Sequence, residues 1–274
     1  MTVIDAHAHL WQRAHTPQDW IDSDTMPAID RDFWVDDLAR MQAEAGIDGA
    51  ILVQSANSAQ ETRDLLAAAA HPSVLGVVGW IDLEGDVRRQ LADLRALPGG
   101  DHLVGIRHLA HVDPDPGWLV RPSLQFAALD VPFDLVVHAP QLGLAAQVAQ
   151  RHPQTTFVLD HLGNPPIAGG DLSGWRRDLA RLAALPNVVT KLSGITLQTS
   201  WNDWTIDDLR EPIAVALDAF GPERVLFGSD WPLLLLASDG PSWVDIVREL
   251  VPQHDHAAVL GGNCSRVYLR GTHA

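Results

Sequence analysis

Val3-Ile4-Asp5-Ala6-His7-Ala8-His9-Leu10 is the stretch that decides how the rest of the chain is read. Asp5, His7 and His9 stand at alternate positions in a short apolar run. In a strand, such residues point to one face and their neighbours to the other. One face then carries a carboxylate and two imidazoles, while Ile4, Ala6, Ala8 and Leu10 make the other apolar. Polar groups are costly to bury alone, so that face must meet water, a metal or other polar groups.

Working outward, the same kind of run recurs. The runs are Val3–Leu10, Ala50–Ser55, Val74–Ile81, Leu103–His108, Phe133–His138, Thr156–His161, Val188–Ser193 and Val225–Asp230. Most are apolar on both faces until their last residues, as in parallel strands covered on both sides. Helical patterns follow most of them. Asp36 is placed to cap Asp37–Ala45, and Ser58-Ala59-Gln60-Glu61 reads as a capping box. Val87–Leu97, Leu142–Arg151, Trp175–Leu185, Asp207–Phe220 and Trp243–Leu250 carry apolar stripes read as core faces. Long loops cover Trp11–Asp32, Ala110–Pro122 and Gly163–Gly174, each after a strand.

This rhythm predicts an α/β fold, a single (β/α)₈ barrel domain over residues 1–274 with its chemistry at the C-terminal ends of the strands. A doubly wound open sheet is the alternative. It would normally carry a Gly-rich phosphate loop after the first strand, and none is visible.

Composition narrows the function classes. The 274 residues are 46% hydrophobic and carry a net charge of −16, which argues against nucleic acid and anionic membranes as partners. The one cysteine, Cys264, permits no internal disulfide. With no leader and no apolar span, the cytoplasm is the expected compartment. No GxSxG elbow points to a serine esterase. The Leu233–Leu236 run is either a buried segment or a contact in a homo-oligomer.

In a barrel, the polar residues at strand ends converge. They are His7 and His9, Arg107 and His108, His138, Asp160 and His161, Lys191 and Ser193, and Asp230. Closure puts the first and eighth strands side by side, so Asp230 is expected close to His7 and His9.

These residues carry a resemblance. Ile4-Asp5-Ala6-His7-Ala8-His9-Leu10-Trp11, Gly76–Leu83, Gly105-Ile106-Arg107-His108, Leu159–Pro166, Lys191-Leu192-Ser193-Gly194 and Phe227–Pro232 resemble the amidohydrolase superfamily. Within it they resemble the lactonase branch of fuconolactonase, rhamnonolactonase and 2-pyrone-4,6-dicarboxylate hydrolase. The resemblance implies a distorted barrel and hydrolysis of a lactone ring. By position, His7 and His9 match the first-strand HxH, His138 the fifth-strand histidine, His161 the sixth-strand histidine and Asp230 the eighth-strand aspartate. No lysine lies near the ends of the fourth or fifth strands, where two-metal members carry a bridging lysine.

The chemistry of the residue types gives roles. Opening a lactone needs an activated water, an electrophile for the carbonyl oxygen and a proton for the departing alkoxide. Asp230 is the candidate base and His161 the candidate oxyanion donor, with His7 and His9 beside them. For each, a plain structural role is the competing reading. Arg107, Lys191, His108 and His138 are candidate substrate contacts, with ion pairing to acids such as Asp160 the alternative for Arg107 and Lys191. A metal reading uses His7, His9 and Asp230, with His161 or His138, as ligands for one divalent ion, zinc or manganese, whether or not turnover needs it.

The chain has 10 Trp and one Tyr, and Trp80 and Trp231 are the Trp candidates for a sugar face. Few cations are available for a dicarboxylate, so a neutral aldonolactone is the expected small-molecule partner. The alternatives are a metal-dependent decarboxylase, a lactone isomerase and an inactive lactone-binding barrel.

Overall fold

The structure is a computed structural model and describes residues 1–269. The expected span of 1–274 thus includes residues 270–274, which lie outside the described residues. Eight parallel strands form one barrel in sequential order. They are β1 (Ile4–Ala8), β2 (Gly49–Val53), β3 (Val74–Gly79), β4 (Leu103–His108), β5 (Phe133–Leu135), β6 (Phe157–Leu159), β7 (Val188–Leu192) and β8 (Val225–Phe227). Each falls inside, or within a residue of, an apolar run of the sequence. The runs that end in His138, His161, Ser193 and Asp230 stop early as strands, whereas β4 continues to His108.

The helices are α1 (Val35–Ala45), α2 (Ala59–Ala68), α3 (Val87–Arg95), α4 (Leu142–Arg151), α5 (Ser173–Ala183), α6 (Ile206–Phe220), α7 (Gly240–Leu250) and α8 (Asn263–Tyr268). No α-helix lies between β4 and β5; short 3₁₀ turns at Trp118–Val120 and Phe126–Ala128 cross there instead. Two local expectations are corrected. Trp34, not Asp36, is the N-cap of α1, and Asp37 accepts from the Trp34 N–H at 3.2 Å. Ser58 does cap α2 by accepting from Glu61 N at 3.2 Å. The Glu61 carboxylate turns outward from that box and accepts from Ser55 N (2.9 Å) and Ala56 N (2.8 Å), which fixes the end of β2.

Two apolar clusters build the core. The larger joins the helices to the outer faces of the strands. The smaller contains Ile4, Ile51, Val78, Val104, Val158 and Leu226, from six different strands, so it fills the barrel's interior. Cys264 and Tyr268 of α8 join that inner cluster, and Asn263 Nδ2 donates to Val225 O at 2.7 Å, so α8 closes the N-terminal ends of the strands. Cys264 is fully buried there, as a packing residue.

The alternation read from β1 holds only in part. The register shifts between Asp5 and Ala8. Asp5 is therefore parted from the two histidines and ties β1 to the segment after β8. It accepts from His7 N (2.9 Å), Ser229 N (2.8 Å) and Ser229 Oγ (2.5 Å). Asp230 N also donates to His7 O at 2.8 Å, and His9 N to Trp231 O at 2.7 Å. Among the described residues, no helix is long and apolar enough to cross a membrane.

Candidate active site

The seam between β1 and β8 brings Asp230 to the histidines. Asp230 Oδ1 lies 3.2 Å from His9 Nε2 and 3.6 Å from His7 Nε2. The two imidazole Nε2 atoms are 3.1 Å apart. His9 Nδ1 is 2.7 Å from Val53 O. A carbonyl only accepts, so the His9 proton sits on Nδ1 and the Nε2 lone pair faces the cluster. His161 packs its ring 4.6 Å from that of His7, and its Nδ1 is 3.0 Å from Ser193 Oγ.

His161 and Asp230 both hold left-handed backbone, at φ 54° and 60°. Such conformations cost roughly 1–3 kcal/mol each for residues other than glycine and gather at functional sites. Gly194, at φ 61°, lies against both. A Cβ there would fall 2.5 Å from His161 Nδ1 and 2.7 Å from Asp230 Oδ2. Glycine at this position is what lets the β7 segment approach the pair.

Below the mouth lies a layer of buried charge. Lys191 Nζ is 2.5 Å from Asp134 Oδ2, 3.1 Å from Asp160 Oδ1 and 3.1 Å from His7 Nδ1. Arg107 Nη1 donates to Asp160 Oδ2 at 2.9 Å, and Tyr268 Oη to Asp134 Oδ1 at 2.6 Å. Asp160 Oδ1 is also 3.2 Å from His7 Nδ1. Burial opposes charge on Lys191, but Asp134 and Asp160 overcome it and hold the ammonium above its ordinary range. Burial likewise opposes charge on Asp160, yet Lys191, His7 and Arg107 hold its carboxyl well below the usual range. For Asp134 burial wins, and its pKa rises to about 6. Burial holds both His7 and His161 below the ordinary histidine value.

Above the cluster opens a cavity of about 540 Å³. His9, Arg107, His138, His161 and Asp230 line it, as do His111, Asn164, Gly194 and Gln198.

The family model described as Amidohydrolase matches residues 4–270. The chain belongs to the amidohydrolase family. This amidohydrolase is 35% identical over 280 residues to the L-fucono-1,5-lactonase of Burkholderia ambifaria, covering 97% of this chain and 94% of that one. It is 34% identical to the L-fucono-1,5-lactonase of Burkholderia multivorans, with 97% and 95% covered. A solved amidohydrolase from Burkholderia multivorans with bound zinc superposes at a TM-score of 0.89 and 32% identity, covering 98% of this chain and 99% of that one.

The amidohydrolase's own residues fit a divalent ion. His7, His9 and Asp230 form one candidate ligand set, and His7, Asp160 and His161 a second. In the first set the donor atoms are 3.1, 3.2 and 3.6 Å apart. Zinc bonds of about 2.0–2.1 Å in a tetrahedron give ligand separations of roughly 3.3 Å. With the Val53 carbonyl fixing the His9 tautomer, the donor set is prepared for a cation.

Not every sequence candidate faces the cavity of this amidohydrolase. Lys191 and His7 are fully buried and do not line it. Arg107 pairs with Asp160, the local-acid alternative read from the sequence, and still reaches the cavity. His108 turns away from it: Trp80 Nε1 donates to His108 Nδ1 at 3.1 Å, and Asp113 Oδ2 lies 2.9 Å from Nε2. The His108 ring stacks on Trp118 at 3.7 Å. Trp231 is buried against Phe33 and also stays outside the cavity lining. The sequence assigns no site role to His111, Gln198 or Asn164, the last of which it gives only inside the Leu159–Pro166 stretch, because loop residues show no periodicity. Asp134 had a signal, a lone acid inside an apolar strand run.

Proposed function

We propose that this amidohydrolase opens the ester ring of a neutral sugar aldono-1,5-lactone of the L-fuconolactone kind. One observation carries the reading: Asp230 sits at the cavity floor within reach of His9 and beside His161, where water and a lactone carbonyl can meet. The near full-length likeness to two L-fucono-1,5-lactonases supports the substrate class. So does the wall, on which Arg107 is the one Lys or Arg and Asp230 the one acid among the described lining residues. A dicarboxylate would leave at least one anion without a cation.

Asp230 takes a proton from water as its oxygen bonds to the lactone carbonyl carbon. The bond from that carbon to the ring oxygen then breaks, and Asp230 returns the proton to the departing alkoxide. His161 holds the carbonyl oxygen as charge develops. In this reading the Ser193 hydroxyl, 3.0 Å from Nδ1, donates to it, which leaves the His161 proton on Nε2 for the oxyanion. The depressed pKa keeps His161 neutral, so it serves as a hydrogen-bond donor without competing for the Asp230 charge.

His7, His9 and Asp230 would hold a divalent ion, with His161 nearby. When bound, such an ion would lower the pKa of water and polarise the carbonyl.

The test is a pH-indicator assay over aldonolactones, with protein stripped by chelator and protein reloaded with zinc or manganese. Rapid acid release from L-fucono-1,5-lactone is the expected result. Activity in the stripped arm assigns water activation to Asp230 alone, and activity only after reloading assigns it to the ion. Silence in both arms overturns the reading.

A further inference from the structure

The cavity wall holds a polar group that the hydrolytic centre does not use. His111 lies in the segment that leaves β4, and its Nδ1 is buried with no hydrogen-bond partner. The backbone on both sides is pinned. Leu109 N donates to Asn57 Oδ1 at 2.9 Å, Gln141 Nε2 donates to Ala110 O at 3.2 Å, and Asp113 is held by His108. The His138 ring meets the His111 imidazole at near right angles, 5.3 Å away between centroids. A buried polar atom left unpaired costs about 1–3 kcal/mol. A rigid segment that presents one to a cavity fits a ligand that supplies the missing partner.

We propose that His111 hydrogen-bonds a ring hydroxyl of the substrate and so selects polyhydroxylated lactones over unsubstituted ones. The assignment rests on the lactone-opening reading above and makes His111 a specificity residue of the same site.

The charge state agrees with a hydroxyl. Burial, with Arg107 and His138 adding to it, pushes the His111 pKa down to about 3. The neutral ring offers one N–H and one lone pair, which match a group that both donates and accepts. A cationic ring would favour a carboxylate. A second polar element lies on the same cavity. Gln198 Nε2 donates to Asn164 Oδ1 at 3.0 Å, and Asn164 Nδ2 donates to Val137 O at 2.8 Å. Those bonds orient the Gln198 amide at the cavity wall. The rim complements them. Val112, next to His111, is 62% exposed, and Trp20 is 42% exposed. They are two of the three large exposed hydrophobics among the described residues, and both line this cavity. Hydroxyls on one edge and C–H groups on the other is the pattern of a sugar ring.

The test compares wild type, His111→Phe and the conservative His111→Gln on L-fucono-1,5-lactone and on δ-valerolactone, which has no ring hydroxyl. One good hydrogen bond corresponds to roughly a ten- to hundredfold change. His111→Phe is expected to lose that much kcat/KM on the sugar lactone, chiefly through KM, and to stay within about threefold on δ-valerolactone. His111→Gln should recover most of the loss. Equal losses on both lactones, or no loss on either, overturn the assignment while the lactonase reading stands. A wild type that opens neither lactone removes the lactonase reading and this assignment with it.

Discussion

Lys191 and His111 each place a titratable nitrogen out of water, and their surroundings are opposite. Lys191 has Asp134, Asp160 and His7 within 3.1 Å. His111 has a buried Nδ1 with no partner at all. The first arrangement is complete without a ligand, and the second is not. In the barrel interior, the Lys191 ammonium finds its partners inside the protein. On the cavity wall, His111 is held through its neighbours' backbone and left open at Nδ1. The contrast sorts the polar residues of the mouth into those that position and those that touch substrate. His108 belongs with the first kind, between Trp80, Asp113 and Trp118. Gln198 belongs with the second.

The comparison can be broken most severely at Lys191. Lys191→Met leaves Asp134 and Asp160 buried with less compensation, and stripping one partner from such a network costs about 3–5 kcal/mol. Denaturant unfolding should show that loss, and a change below about 1 kcal/mol would show that the layer does not hold the barrel. Gly194→Ala attacks the boundary between the two kinds. Its methyl would press on His161 and Asp230, and misplacement of that order lowers turnover by about a hundredfold. A crystal structure would show the pair parted, and unaltered kcat would refute the close fit.

Smaller effects sharpen the distinction. His108→Phe keeps the stack on Trp118 but drops the bonds to Trp80 and Asp113. It should raise KM a few-fold by loosening the segment that carries His111, with kcat nearly unchanged. The pH dependence of stability gives the mildest test. Burial depresses His7, His108, His111 and His161 below their unfolded value. As pH falls below about 6.5 the unfolded chain takes up protons that the folded one refuses, so stability is lost toward pH 4. Asp5 and Asp134, raised to about 6, act in the opposite sense. Between about pH 4 and 6 the folded state keeps protons that the unfolded chain releases, which offsets part of the loss. His111→Phe should flatten the acid limb by about one proton, read as unfolding free energy against pH.

The barrel was legible because its strands are buried on both faces, and that leaves unbroken apolar runs in the sequence. The adjacency of Asp230 to His7 and His9 followed from closure alone. The irregular register inside β1 was not legible, so Asp5 was grouped with histidines from which the structure parts it. The contacts of Asp134 with Lys191 and Tyr268 span 57 and 134 residues, and no local pattern encodes such partners. The direction of His108 was hidden for a related reason. It ends β4 as expected, but Trp80, Asp113 and Trp118 claim its ring, and only the folded chain brings them together.

The most direct test of the account is turnover of L-fucono-1,5-lactone by Asp230→Asn beside wild type, with circular dichroism on both. Asparagine tolerates left-handed backbone, so the fold should survive. The account predicts an intact spectrum and a loss of roughly 10²–10⁴ in kcat, the usual worth of a general base. An Asp230→Asn enzyme that keeps most of its kcat would contradict it.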